Sequence, residues 1–149
     1  MKYHIDSVIL AEQSLLGALM QEPEKLVEVK AAVDVEDFYD EKNKDIYNAI
    51  LRLDEAGIIP DTTTIFEEIN NSGAFKSMDA SLYIVELYDI TPSTRNIMHY
   101  ANLVKRYSIY REIRSALLSS TEEMNQGNAD IDSLTATLFD QVERAMERA

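Results

Sequence analysis

The chain has 149 residues, 46% of them hydrophobic, and a formal net charge of −13; this suits one domain, or a domain with an appendage, with enough apolar material for a core. The absence of cysteine excludes a disulfide scaffold, a thiolate zinc site and a cysteine nucleophile. No apolar run is long enough to span a bilayer and the N-terminus lacks the pattern of a signal peptide, so a cytoplasmic protein without a membrane partner is expected.

Apolar residues recur at helical spacing throughout, and no long stretch alternates with period two, so the fold class is all-α. The first helix is expected from Ser7 to Gln21, with Val8, Ile9, Leu15, Leu16, Leu19 and Met20 at helical spacing and Glu12 the one polar member of the series. Gly17 sits inside it. Glycine costs about 1 kcal/mol against alanine there, so its missing side chain implies the close approach of another helix. Pro23 ends this helix and can open a short one over Glu24–Val33. Asp37-Phe38-Tyr39-Asp40 reads as a turn that plants an aromatic pair in the core, and Glu41–Ala56 as a strong helix with Ile46, Ile50 and Leu53 in one stripe, closed by Gly57.

Two starts are open for the next helix: Asp61 as N-cap, or a Thr64/Glu67 capping box. Ile65, Phe66 and Ile69 face inward, and Asn71-Ser72-Gly73 ends the helix. Ser81–Asp89 is short and apolar. From Thr94 to Gln126, capped by Ser93 or Thr94, nothing breaks the helical pattern, and a helix well beyond the usual length of about 11–12 residues is expected to leave the core and project. Gly127 stops it, Asp130 caps a last helix, and the short loop Gly127-Asn128-Ala129 makes the two antiparallel. The expected architecture is a bundle of about six helices over residues 1–107, followed by a projecting helical hairpin over residues 108–149.

Along that hairpin Tyr110, Ile113, Leu117 and Met124 form one apolar seam, and Ile131, Leu134, Leu138 and Val142 form another, with Leu118, Phe139 and Met146 beside them. This surface is broader than one partner helix covers. Either a second hairpin from another copy pairs with it, or the hairpin folds back on the globular part.

The charge is uneven: residues 1–91 carry net −12 and residues 92–149 net −1. Such acidity either keeps the protein soluble or faces a basic protein partner, and it opposes a tight grip on a phosphate backbone, so DNA contact is expected to be weak or absent. Tyr83, Tyr88, Tyr100, Tyr107 and Tyr110 read as core residues with a polar tip rather than as a stacking platform, because Glu112 interrupts the basic patch of Lys105, Arg106, Arg111 and Arg114. The four glycines are too scattered for a phosphate loop. His4 lies in a terminus expected to fray, and His99 on a polar helix face. Asp34, Glu36, Asp37, Asp40 and Glu41 read as helix-start carboxylates rather than as an acid–base pair. No catalytic residue, metal ligand or cofactor site emerges.

Several segments nevertheless match a known pattern in order and spacing. They are Ala11–Met20; Asp37-Phe38-Tyr39 followed by Ile46-Tyr47; Gly57, Pro60, Asp61 and Thr64; Leu82-Tyr83-Ile84-Val85-Glu86-Leu87; and Thr91-Pro92-Ser93 with Asn96, Tyr100, Ala101 and Val104. Together they resemble the N-terminal domain of DnaB-type replicative DNA helicases, across nearly the whole chain. The resemblance implies hairpins that pair, in a dimer or a trimer of dimers forming a collar. It also implies docking of the C-terminal domain of primase and of a helicase loader, to which Tyr83, Arg111 and Arg114 are assigned. ATP and magnesium then belong to an ATPase domain that, with its linker, is expected beyond Ala149. Two rival readings are a collar that guides single-stranded DNA and a stand-alone phage protein that captures a host's primase or loader.

Overall fold

The computed structural model describes residues 2–75, 79–127 and 130–149. Seven α-helices run in order among them: α1 (Ile5–Gln21), α2 (Leu26–Ala32), α3 (Glu41–Glu55), α4 (Thr62–Ser72), α5 (Asp79–Ile90), α6 (Ile97–Asn125) and α7 (Ile131–Glu147). Short 3-10 turns at Pro23–Lys25, Val35–Asp37 and Thr94–Asn96 lead into α2, α3 and α6, and no strand occurs among the described residues.

The centre of the head is α1, packed against α3, α5 and α6. Ten of its residues are buried, far more than the one stripe a surface helix would cover. Val8, Leu15, Leu16, Ala18 and Leu19 meet Ile46, Tyr47 and Ile50 of α3, Ile65 and Ile69 of α4, Ile84 and Leu87 of α5, and Ile97, Ala101 and Val104 of α6 in one core. Tyr47 is buried there with its hydroxyl donating to the Val33 carbonyl at 2.7 Å, and burial raises that phenol above its ordinary value. Gly17 lies under the C-terminal end of α5: a Cβ on it would stand 1.7 Å from Thr91 Oγ1 and 2.2 Å from the Leu87 carbonyl oxygen.

Termini follow the cap chemistry, with some changes of detail. The first helix begins two residues earlier than its apolar period indicates, because His4 is its N-cap and accepts from Asp6 N at 3.3 Å; His4 is a cap rather than a frayed end. The α3 helix ends in a Schellman motif, with Ile58 N donating to Leu53 O and Gly57 N to Asp54 O. The φ of 73° at Gly57 explains the glycine there. The capping box of α4 is Asp61 with Thr64, not Thr64 with Glu67: each side chain accepts from the other's backbone N–H. Ser93 caps a 3-10 turn, so the long helix proper starts at Ile97 rather than Thr94. The α5 helix extends beyond Ser81–Asp89 at both ends.

The long helix α6 has 29 residues. Its first half belongs to the head core, and its second half carries α7 antiparallel along it. Of the predicted connecting loop, Asn128 and Ala129 lie outside the described residues. The contact between the arms is close but made of small groups: Ala116 and Ser120 of α6 and Ala145 of α7 are the buried members. Leu134, Leu138 and Val142 are half-buried beside them.

Candidate functional site

Two surfaces are built on α6. Along the hairpin, Tyr110, Leu117 and Met124 recur every seven residues and are exposed, as are Ile131, Phe139 and Met146 on α7. At 100° per residue Tyr110, Leu117 and Met124 of α6 and Phe139 and Met146 of α7 flank the α6–α7 contact, and in an antiparallel pair they fall on the same side, while Ile131, in register with Leu138 and Ala145, is exposed at the first turn of α7. The result is one apolar face with Ile113 half-buried at its edge. Leu117 is 52% exposed and Phe139 67%, more than a lone hairpin hides. Tyr110 is partly occupied already: Tyr3 stacks on it, with centroids 4.6 Å apart, and stands edge-on to Tyr107 at 5.8 Å. The eight residues assigned from sequence to self-association thus separate into two groups. Leu134, Leu138 and Val142 turn partly toward α6, with Ile113 at the margin, while Tyr110, Leu117, Met124 and Ile131 face outward.

The second surface is a groove of about 610 Å3 where the head meets the hairpin, lined by Tyr3, Ile5, Tyr39, Arg111, Arg114 and Leu118 among others. It lies on the side of α6 turned away from α7, roughly a third of a turn from the apolar face. The three residues assigned to partner docking have different fates here. Arg111 is tied to the head: its Nη2 donates to the Asp37 carbonyl at 2.7 Å and its guanidinium sits 5.5 Å from the Tyr39 ring. Its Nη1 is buried with no acceptor. Arg114 is exposed at the mouth. Tyr83 does not line the groove. Its hydroxyl donates to Asn43 Oδ1 and accepts from Gln13 Nε2, it is half-buried under Lys42, and burial raises its phenol.

What holds the groove wall in place is a buried polar centre that the apolar period conceals. Glu12 is fully buried. Its carboxylate accepts from Tyr39 N at 2.6 Å, Asp40 N at 3.1 Å and Asn43 Nδ2 at 3.1 Å. Desolvation raises its pKa, against those three donors and the nearby Arg111 charge. This anchor also corrects the expected aromatic pair: Phe38 enters the core and packs on Tyr47, but Tyr39 is 48% exposed and turns to the groove. Because Glu12 holds the Tyr39 and Asp40 amides, the two rings leave the chain on opposite sides. The acidic cluster likewise divides. Asp40 caps α3, as a helix-start carboxylate should. Asp37 also has a helix-start role, as partner of Asp34 in the capping box of the 3-10 turn, but it is fully buried and in addition carries ion pairs to Lys105 at 3.1 Å and to Arg148. Its own fragment gives no sign of those partners, which lie 68 and 111 residues away.

Among the described residues no group of histidine, aspartate and glutamate is placed to hold a metal ion, and no helix is long and apolar enough to cross a membrane. The remaining tyrosines are mixed in setting: Tyr107 is buried, Tyr100 half-buried and Tyr88 exposed.

Residues 6–106 match the family model described as DnaB-like helicase N terminal domain. The chain is 30% identical over 126 residues to the replicative DNA helicase DnaB of Geobacillus stearothermophilus, covering 85% of this chain and 28% of the relative. It is 31% identical over 105 residues to the replicative DNA helicase DnaC of Bacillus subtilis (strain 168), covering 70% and 23%. The chain thus spans about a quarter of the length of these curated relatives. The fold is similar to a crystal structure of the N-terminal domain of DnaB helicase from Mycobacterium tuberculosis, with a TM-score of 0.83 at 23% identity, covering 91% of this chain and 96% of that one.

Proposed function

The chain belongs to the DnaB-like helicase N-terminal domain family, and from that premise we propose that it is the assembly and partner-docking module of a replicative helicase. In this reading it has no catalytic residue of its own, and ATP and magnesium are handled by a separate domain. The hairpins pair through the face of Leu117, Met124, Ile131 and Phe139, giving a dimer or a trimer of dimers. The groove at Arg111 and Arg114 receives the C-terminal domain of primase, with a helicase loader as the other candidate partner. Pairing and docking use different sides of α6, so one does not block the other. The net charge of −13 keeps DNA contact weak.

The observation that carries the reading is the exposed apolar face of the hairpin. Burying it between two copies contributes about 25 cal/mol per Å2 before the entropy of association is subtracted. Leu117→Asp and Phe139→Asp lie on exposed positions, where a substitution changes monomer stability by about 0.5 kcal/mol or less. They are expected to convert an associating protein to a monomer in sedimentation equilibrium while leaving its helical circular dichroism unchanged. An unchanged mass in both variants would remove the hairpin from the interface. Arg114→Glu is expected to weaken binding of an isolated primase C-terminal domain about ten-fold or more in titration calorimetry, about 1.4 kcal/mol, without altering the mass. Equal affinity would move the docking site elsewhere.

A further inference from the structure

The contact between α6 and α7 buries little apolar area for its length. Its central residues are Ala116, Ser120 and Ala145, while the larger Leu134, Leu138 and Val142 are only partly covered. At the far tip the arms are joined by the chain. At the base, the side chain of the C-cap residue of α7 bridges back to the head. Arg148 pairs with Asp37 through Nη2 and with Glu112 through Nη1, and Nη2 also donates to Ser108 Oγ at 3.2 Å. Asp37 belongs to the 3-10 turn before α3; Glu112 and Ser108 belong to α6. Arg148 therefore ties three separate elements at the joint between head and hairpin.

Asp37 does not depend on Arg148 alone. Lys105 stands 3.1 Å from its Oδ2, and that oxygen also accepts from Asp34 N at 2.8 Å. The head keeps a neutralised, hydrogen-bonded carboxylate when Arg148 is gone. The end of α7 loses its only described ion pair to the head, with Asp37, and its pair to α6, with Glu112. The bond is thus asymmetric: nearly dispensable to one side and decisive for the other. Asp37 is fully buried while Arg148 and Glu112 are only partly covered, and three charge-assisted or polar contacts converging on one guanidinium fix its geometry more firmly than a single exposed pair would.

We propose that Arg148 is a positioning residue that latches the base of α7 to the head, setting where α7 and its exposed Phe139 and Met146 lie against α6, and that its release frees α7 while the head stays folded. The latch acts within one molecule, whether or not the hairpins pair.

The natural chain has no cysteine, so paired spin labels can be placed at the exposed sites Glu28 of α2 and Thr137 of α7. Labelled chain is diluted into unlabelled chain so that distances are measured within one molecule. Wild type is expected to give one narrow distance distribution and Arg148→Ala a broad one, with partial narrowing in Arg148→Lys. Amide hydrogen exchange in Val142–Glu147 of Arg148→Ala is expected to speed up about ten-fold or more, with α1 and α3 unchanged. An unchanged distance distribution with unchanged exchange in α7 would overturn the proposal. A loss of protection spread equally through the head would overturn it too, by making Arg148 part of the core's own stability.

Discussion

Replacing Glu12 with alanine is expected to remove about 4 kcal/mol from the stability of this domain, a large share of the 5–15 kcal/mol typical of a native fold. Three donors converge on that carboxylate in a place water does not reach: the Tyr39 and Asp40 amides and the Asn43 side chain. An orphaned buried donor costs about 1–3 kcal/mol, and the cavity left by the side chain adds to it. Glutamine is a sharper probe. Both Glu12 oxygens accept, so the amide of Glu12→Gln must aim an N–H at another N–H, and a loss of about 2 kcal/mol is expected. Urea unfolding followed by circular dichroism measures both variants. A Glu12→Ala loss below 1 kcal/mol would mean that the 38–43 segment is held by its apolar contacts alone.

The same group predicts a pH effect. Desolvation raises the Glu12 pKa in the folded state, so the native state binds this proton more tightly than the unfolded chain does. Its contribution is fully present below the unfolded carboxyl pKa. It is lost as pH rises through the window up to the raised folded value. Glu12→Gln lacks this titration, so the stability difference between wild type and variant should shift across that window, with wild type relatively better at the acid end.

Gly17→Ala is the second large effect, and its sign runs against helix propensity. In an isolated helix the change would gain about 1 kcal/mol. Here the added methyl meets Thr91 Oγ1 at 1.7 Å and the Leu87 carbonyl at 2.2 Å. The carbonyl is backbone at the end of α5 and already accepts from the Thr91 hydroxyl at 2.9 Å. The helices must separate, and overpacking of this sort costs about 1–3 kcal/mol or more. A net loss of about 3 kcal/mol is expected in thermal or urea unfolding. Adding Thr91→Ala removes one obstacle and leaves the carbonyl, so the double variant should recover only part of the loss. A Gly17→Ala protein as stable as wild type would show that α5 slides freely over α1.

These two sites show where sequence reasoning reaches and where it stops. Gly17 inside an apolar period announces a close approach, because the cost of glycine in a helix must be repaid by contact; the period cannot say that Leu87 and Thr91 make it. Glu12 occupies an apolar register and so marks itself as an exception. Its partners stand 27 to 31 residues away, across a turn whose backbone direction no local pattern dictates. That is why Tyr39 was expected inside with Phe38. The cap at Asp130 and the stop at Gly57 are legible because capping is a contest among neighbours in the chain; at Asp61 and Ser93 the sequence leaves two candidates each, and Ser93 proves to cap the 3-10 turn ahead of α6. The outward rows of the hairpin were visible as apolar residues, but which of them face α6 is a matter of phase between two helices. The groove was half visible: its arginines stand out, while Tyr39 and Tyr3 come to it from the head.

The long helix has one more consequence. Its 29 residues contain neither proline nor glycine, so the rod that begins in the core at Ile97 continues without a hinge for about 43 Å. It works as a lever whose fulcrum is the hydrophobic interior. A tilt of about 5° where α1 grips it displaces the distal end by about 3 Å, so repacking at Val104 or Ala101 is magnified into a swing at Asn125.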